Sequence, residues 1–421
     1  MSSGCGSSNS KLGRAGRGAG MIAADAPAGD GGGADRPEQA WSPARPAGRM
    51  DARLKTRLQS LGVRVMAGEG GGSEAAPAEI TWGRRRGGAG PAEGMTILWG
   101  DAAVTVPSAR EAVHSPFSWR ESASGGVLEG EGWAVEVDTP RTEDFYRRRT
   151  RDGVAFGQVA LIHGGDCLAS TVIQSCAYWG GPQGCAFCGI GTSLREGRTL
   201  RRKTPAQLAE VASSALALGV KHVTLTSGST LSGRAEIRHL AACTRAIVAA
   251  TGLPVQVQAL APSPADLRLL HEAGASSIGL HVESLDFEVL AAVAPVKAGV
   301  GWEGFLRLWR EAVEVFGPWQ VVTYVIAGLG EDLETTLQRL AEAVAVGVYP
   351  HVVPFRPVPG AELAHLSPPE PALMERLYRE TARMLRAAGG SWRRIEAGCG
   401  RCTACSALPD FEEELSLGSV G

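Results

Sequence analysis

The sequence predicts an α/β fold built on a parallel sheet, and three observations carry that expectation. Short, β-branched runs alternate with helical segments from about residue 168 onward. The runs fall at 169–174, 222–226, 255–259, 277–282, 321–326 and 351–355, and the helical segments at 205–217, 235–251, 264–273, 302–316, 333–346 and 371–388. Consecutive strands joined by helical crossovers must lie parallel. The punctuation agrees. Thr204-Pro205 and Ser263-Pro264 each put an N-cap hydroxyl before a proline at the first helical position. Gly219, Gly252, Gly274 and Gly347 stand just past helix ends. Finally, the chemically distinctive residues cluster at strand exits, where parallel sheets bind their ligands. Six such units either close partly into a barrel or lie open as a doubly wound sheet.

The flanks are less regular. Residues 1–49 are Gly, Ala, Pro and Ser with little to bury, so a disordered N-terminal extension is expected, with Met50 as an alternative start. Residues 50–61 read as an amphipathic segment. They open a preface, 50–166, holding a small α/β or β region with strand-like runs at 96–99 and 133–137. Within it, 68–94 reads as a glycine-rich loop whose arginines, Arg84, Arg85 and Arg86, offer an anion site as an alternative. The barrel region spans 167–390, and 391–421 is a Cys-rich C-terminal tail.

Charge narrows the partners. Lys and Arg number 42 against 44 Asp and Glu, a net charge of −2, which gives no general pull toward nucleic acid or anionic membrane. No apolar run approaches the roughly 20 residues of a membrane span. Residues 1–20 lack the apolar core of a secretory signal. A cytoplasmic protein acting on a small molecule is expected.

Of nine cysteines, six form two tight groups: Cys176, Cys185 and Cys188, then Cys399, Cys402 and Cys405. In a reducing compartment such grouping points to metal or cluster ligation rather than disulfides. The scattered ones, Cys5, Cys167 and Cys243, read as tail, packed thiol and helix-core residue. The first group follows the first barrel strand directly. Three thiolates on one short loop ligate three irons of a cubane and leave the fourth open to a small molecule. Gly180, Gly181, Pro182 and Gly184 let the backbone curl. Cys167 and His163 precede this loop by a strand's length, about 25–30 Å for Cys167 at the extended rise, too far to complete it. A structural zinc loop is the plain alternative, but zinc wants a fourth Cys or His.

Here the chain resembles the radical S-adenosylmethionine (radical SAM) superfamily, with a biotin synthase- or lipoyl synthase-like barrel. Phe187 and the Cys185–Cys188 spacing match its cluster motif, while the eight residues between Cys176 and Cys185 make a longer loop than usual. The resemblance covers about 168–390 and is nearest to the radical SAM family found beside nitrilase genes. It implies a partial (β/α)6 TIM-type barrel, a [4Fe–4S] cluster and S-adenosylmethionine. It also implies a one-electron donor such as flavodoxin or ferredoxin, and a 5′-deoxyadenosyl radical that abstracts hydrogen from a substrate. By the same resemblance Thr226, Ser227 and Gly228 contact the methionyl amine of the cofactor, His281 and Glu283 the ribose, and Lys297 the carboxylate. Ile326, Gly328 and Glu331 support the adenine.

Other motifs stay open. Arg356 reads as a substrate contact or a rim ion pair. The run Arg195, Arg198, Arg201, Arg202 and Lys203 reads as a solvated linker, or as a dock for an acidic substrate or electron donor. The second cysteine group has ligand spacing and fits an auxiliary iron–sulfur cluster, a zinc ion or a redox dithiol. Two other classes remain in view: a sulfur-inserting synthase, and a non-catalytic iron–sulfur or zinc protein.

Overall fold

The computed structural model describes residues 50–66, 87–89, 94–108, 112–122, 125–140, 142–231 and 234–417. The expected extension 1–49, Cys5 and the Arg84–Arg86 loop lie outside them. Every described residue falls in one unit.

Elements run in the order α1 (Ala52–Leu61), β1 (Arg64–Met66), β2 (Gly94–Trp99), β3 (Ala102–Pro107), β4 (Ser118–Ser122), β5 (Gly125–Gly130) and β6 (Trp133–Val137). Then come α2 (Glu143–Arg147), α3 (Phe156–Val159), β7 (Leu161–His163), β8 (Cys167–Ile173), α4 (Thr192–Arg195), α5 (Pro205–Ala215), β9 (His222–Ser227), α6 (Arg234–Thr251) and β10 (Val255–Gln258). The remainder is α7 (Pro264–Glu272), β11 (Ala275–Gly279), α8 (Phe287–Val293), α9 (Pro295–Ala298), α10 (Trp302–Phe316), β12 (Val321–Ala327), α11 (Leu333–Ala345), β13 (Val348–Pro354), α12 (Pro371–Ala387), α13 (Cys399–Cys402) and α14 (Leu408–Leu417).

The main sheet has the order β13-β12-β11-β10-β9-β8-β7. Strands β8 to β13 are parallel neighbours in chain order, and the curled sheet is a partial TIM-type barrel. Helices start as their caps dictate: Thr204 with Gln207, and Ser263 with Asp266, form capping boxes ahead of a proline. The six expected strands are all present, and β7 is a seventh, antiparallel to β8. Its three residues are too few to show a period, so the sequence analysis missed it. Strand β13 begins at Val348 rather than 351 and passes through Pro350. An edge strand tolerates that proline because one side of it carries no ladder.

Strands β8, β9 and β10 are buried almost throughout, as parallel strands under helices must be. The barrel core is one apolar cluster from strands and helices. A second core lies in the preface, where α1 packs with β2, β3 and the sheet β1-β4-β5-β6 around Leu58, Ile97, Trp99 and Trp133. The tail then crosses beneath the amino ends of the barrel strands. Ser277 donates to the Ala397 carbonyl at 3.0 Å, the Gly398 amide donates to His222 at 3.1 Å, and Ser406 donates to the Val352 carbonyl at 2.6 Å.

Candidate functional site

The first cysteine loop leaves β8 at the carboxyl end of the sheet. It is anchored by backbone: the Ala177 amide donates to the Ser229 carbonyl at 2.8 Å and the Ala186 amide to Val293 at 2.7 Å. The Trp179 indole donates to the Cys188 carbonyl at 2.9 Å, and the Arg195 guanidinium lies over the Trp179 ring. Cys176, Cys185 and Cys188 line one cavity of about 440 Å³. Burial pushes the Cys185 thiol up to about 11 and Cys188 to about 12. Such thiols keep their protons until a metal displaces them.

Thr226, Ser227, Gly228, His281, Glu283, Lys297, Ile326 and Phe187 line the same cavity. The structure therefore brings together most residues singled out from sequence. Glu283 takes a left-handed backbone (φ 74) and forms an ion pair with Lys297, which also donates to the His281 carbonyl at 2.9 Å. Burial pulls Lys297 down, but the charge and hydrogen bond of Glu283 more than offset it, so the ammonium is held. Burial, Lys297 and His351 keep His281 well below its usual range, hence neutral. Its Nδ1 accepts from the Tyr324 amide at 3.1 Å, which leaves the proton on Nε2, buried and without a partner among the described residues.

Gly328 and Glu331 stand apart from the cavity lining. The Glu331 carboxylate accepts from the amides of Gly328 and Leu329 at 2.7 and 2.8 Å, bracing the turn after β12. Arg356, read as a substrate contact or a rim ion pair, has a backbone partner in the structure. It donates to the Thr105 carbonyl and ties the exit of β13 to the preface. The basic run is largely engaged. Lys203 is fully buried and donates to Thr171 and Gln174, Arg202 contacts His239, and Arg198 pairs with Glu196. Arg195, Arg201 and Arg202 are nonetheless exposed, as in a solvated linker, while the chain there pairs with the exit of β8 through Ile173 and Arg202.

The cavity has a floor that the sequence did not reveal. Cys399, Cys402 and Cys405 line its lower end together with His163 and Cys167. His163 contacts two thiols, Nδ1 at 3.2 Å from Cys402 Sγ and Nε2 at 3.4 Å from Cys405 Sγ. Gln258 donates to Cys399 Sγ at 3.3 Å. Burial pushes Cys399 up to about 12, whereas for Cys405 the His163 ring outweighs burial and brings the thiol down to about 6. Cys167, read as a packed thiol, is indeed buried, and its packing partners are Cys402 and Ala404. Cys243 is buried in α6. No three His, Cys, Asp or Glu side chains among the described residues are arranged to hold a single metal ion.

Comparison with known proteins adds the following. Residues 180–343 match the family model of the radical SAM superfamily, a span that takes in Cys185, Cys188 and β9 to β12. A 98-residue stretch is 32% identical to bacteriochlorophyllide c C-7(1)-hydroxylase of Chlorobaculum limnaeum, covering 22% of this chain and 24% of that one. The chain thus spans about a quarter of the length of that curated relative. Among solved structures, methylornithine synthase is similar at 19% identity over 56% of this chain and 65% of its own, with a TM-score of 0.42. A radical SAM methyltransferase from Sphaerobacter thermophilus is similar at 15% identity over 62% and 75%, with a TM-score of 0.42.

Proposed function

We propose, with residues 180–343 a radical SAM domain, that the chain is an enzyme generating a radical from S-adenosylmethionine to act on a small molecule held in the barrel. The observation that carries this reading is the convergence of Cys176, Cys185 and Cys188 with the strand exits on one cavity. Cys176, Cys185 and Cys188 would hold a [4Fe–4S] cluster, which would supply one-electron reduction to a sulfonium cofactor and so hydrogen-abstracting radical chemistry. The donor set fits, since three thiols from one loop leave one iron for the cofactor.

The protein's residues bind and orient. Thr226 and Ser227 offer hydroxyls and carbonyls to an amine. Lys297 offers charge to a carboxylate, and Glu283 accepts from a diol. The buried Nε2–H of neutral His281 donates to an oxygen or nitrogen in the cavity. Phe187 and Ile326 supply apolar wall and exclude water. Glu331 acts one step removed, by fixing the turn that carries Gly328. A flavodoxin or ferredoxin in the cytoplasm would deliver the electron. No helix among the described residues is long and apolar enough to cross a membrane.

The test is anaerobic reconstitution with iron and sulfide, reduction, and mass spectrometry for 5′-deoxyadenosine. The wild-type protein should form it and Cys188→Ala should not. Product from the variant would remove the loop from the mechanism, and none from the wild type would remove the enzyme.

A further inference from the structure

Outside the upper loop, sulfur is concentrated in one other place. The first residue of β8, Cys167, meets the tail cysteines at the floor of the barrel, packed against Cys402 and Ala404. The tail is held there by main-chain contacts rather than by its thiols. The Ala404 carbonyl accepts from Gln59 at 3.0 Å and from the Thr105 amide at 2.8 Å, and the Cys399 amide donates to Gln256 at 3.3 Å. Room for the sulfur is built in. Gly164 has φ +60, and a Cβ there would stand 2.7 Å from Cys402 Sγ.

We propose that Cys167, Cys399, Cys402 and Cys405 hold a second [4Fe–4S] cluster that forms the floor of the cavity. Four thiols are the donor set of such clusters. Each of the four sulfurs has a polar side chain beside it: Thr224 at 3.5 Å from Cys167, Gln258 at 3.3 Å from Cys399, and His163 at 3.2 Å from Cys402 and 3.4 Å from Cys405. Hydrogen bonds to ligand sulfurs set the potential of a cluster, so these three residues are positioning and tuning residues. A single zinc ion fits less well, since no three His, Cys, Asp or Glu side chains among the described residues are arranged to hold one metal ion. With four protein ligands this cluster has no open iron, unlike the upper one. The site shares the cavity with the upper loop but none of its ligands, so it stands or falls separately from the cofactor reading.

The experiment uses the full chain carrying Cys176→Ala, Cys185→Ala and Cys188→Ala, reconstituted anaerobically and assayed for iron and acid-labile sulfide. About four of each per chain should remain. The electron paramagnetic resonance signal of the reduced protein should not change on adding S-adenosylmethionine. In that background Cys167→Ser should alter the signal and lower retained iron by about half or more, while His163→Ala should keep the iron and shift its potential. An iron-free but folded triple variant, uptake of one zinc per chain instead, or a Cys167→Ser protein with unchanged iron and signal would each overturn the proposal. Should the triple variant not fold, Mössbauer spectra of the wild-type holoprotein decide. Two equal cluster populations, only one perturbed by S-adenosylmethionine, are expected, and a single population overturns the second site.

Discussion

At the scale of single residues, close approach decides more than chemistry does. Gly228 follows β9, and a Cβ there would stand 2.2 Å from the Ser175 carbonyl oxygen, a backbone atom that cannot swing away. Gly228→Ala should therefore displace Cys176. We expect a loss on the order of a hundredfold in 5′-deoxyadenosine formation, as for misplacement of reacting groups by about 1 Å. Single-turnover assays check this, and an unchanged rate would contradict it. Glu412 illustrates a buried acid in α14. Burial raises it from 4.5 to about 7, against hydrogen bonds from Tyr349 and Trp392. The native state then keeps a proton that the unfolded chain has released. Its stabilising effect is complete below about pH 4.5 and fades as pH rises through about 7, a change on the order of 3 kcal/mol at most. Denaturant midpoints should fall over that window in the wild type and flatten in Glu412→Gln. Side-chain direction was the part of this scale not legible in the sequence. Arg356 and Glu331 sit in motifs that suggest ligand contact, yet both bind backbone.

At the scale of elements, the preface acquires a purpose. Helix α1 packs beside β3 and α12, and from its buried face Lys55 reaches Asp410 at 2.7 Å while Gln59 reaches the Ala404 carbonyl. With Thr105 on β3, these contacts clamp the Cys-rich tail under the barrel. Lys55 is only 2% exposed, so its removal strands a carboxylate. Lys55→Ala should cost about 3–5 kcal/mol, the usual penalty for breaking a buried pair. Limited proteolysis should then cut within the tail, and tail-bound iron should be lost before loop-bound iron. A protected tail would deny the clamp. The helix and strand pattern of the barrel was legible because each element is long enough to display its period and its caps. Strand β7 and helix α13 were not, being three and four residues long.

At the scale of the molecule, the barrel is held by apolar packing rather than by metal. Its core runs unbroken from Leu168 on β8 through Trp309 on α10 to Tyr378 on α12. Iron removal by a chelator should thus leave far-ultraviolet circular dichroism and a cooperative melt in place, with only a lowered midpoint from lost ligand linkage. Collapse on chelation would show the folding to be metal-driven, as in small zinc domains. The cavity spans the barrel, with one set of thiols at its mouth and another at its floor.

The sequence alone determined the alternation of strands and helices, and it placed Cys176, Cys185 and Cys188 at a strand exit. Both follow from near-neighbour physics: periods, caps and a loop that leaves a strand. Only the tertiary structure decided that His163 and Cys167 share a site with the tail. His163 and Cys405 are 242 positions apart, and nothing local records that closing the barrel brings its first strands over its last residues. Lys203 makes the same point, reading as one charge in a basic linker until the exit of β8 folds over it.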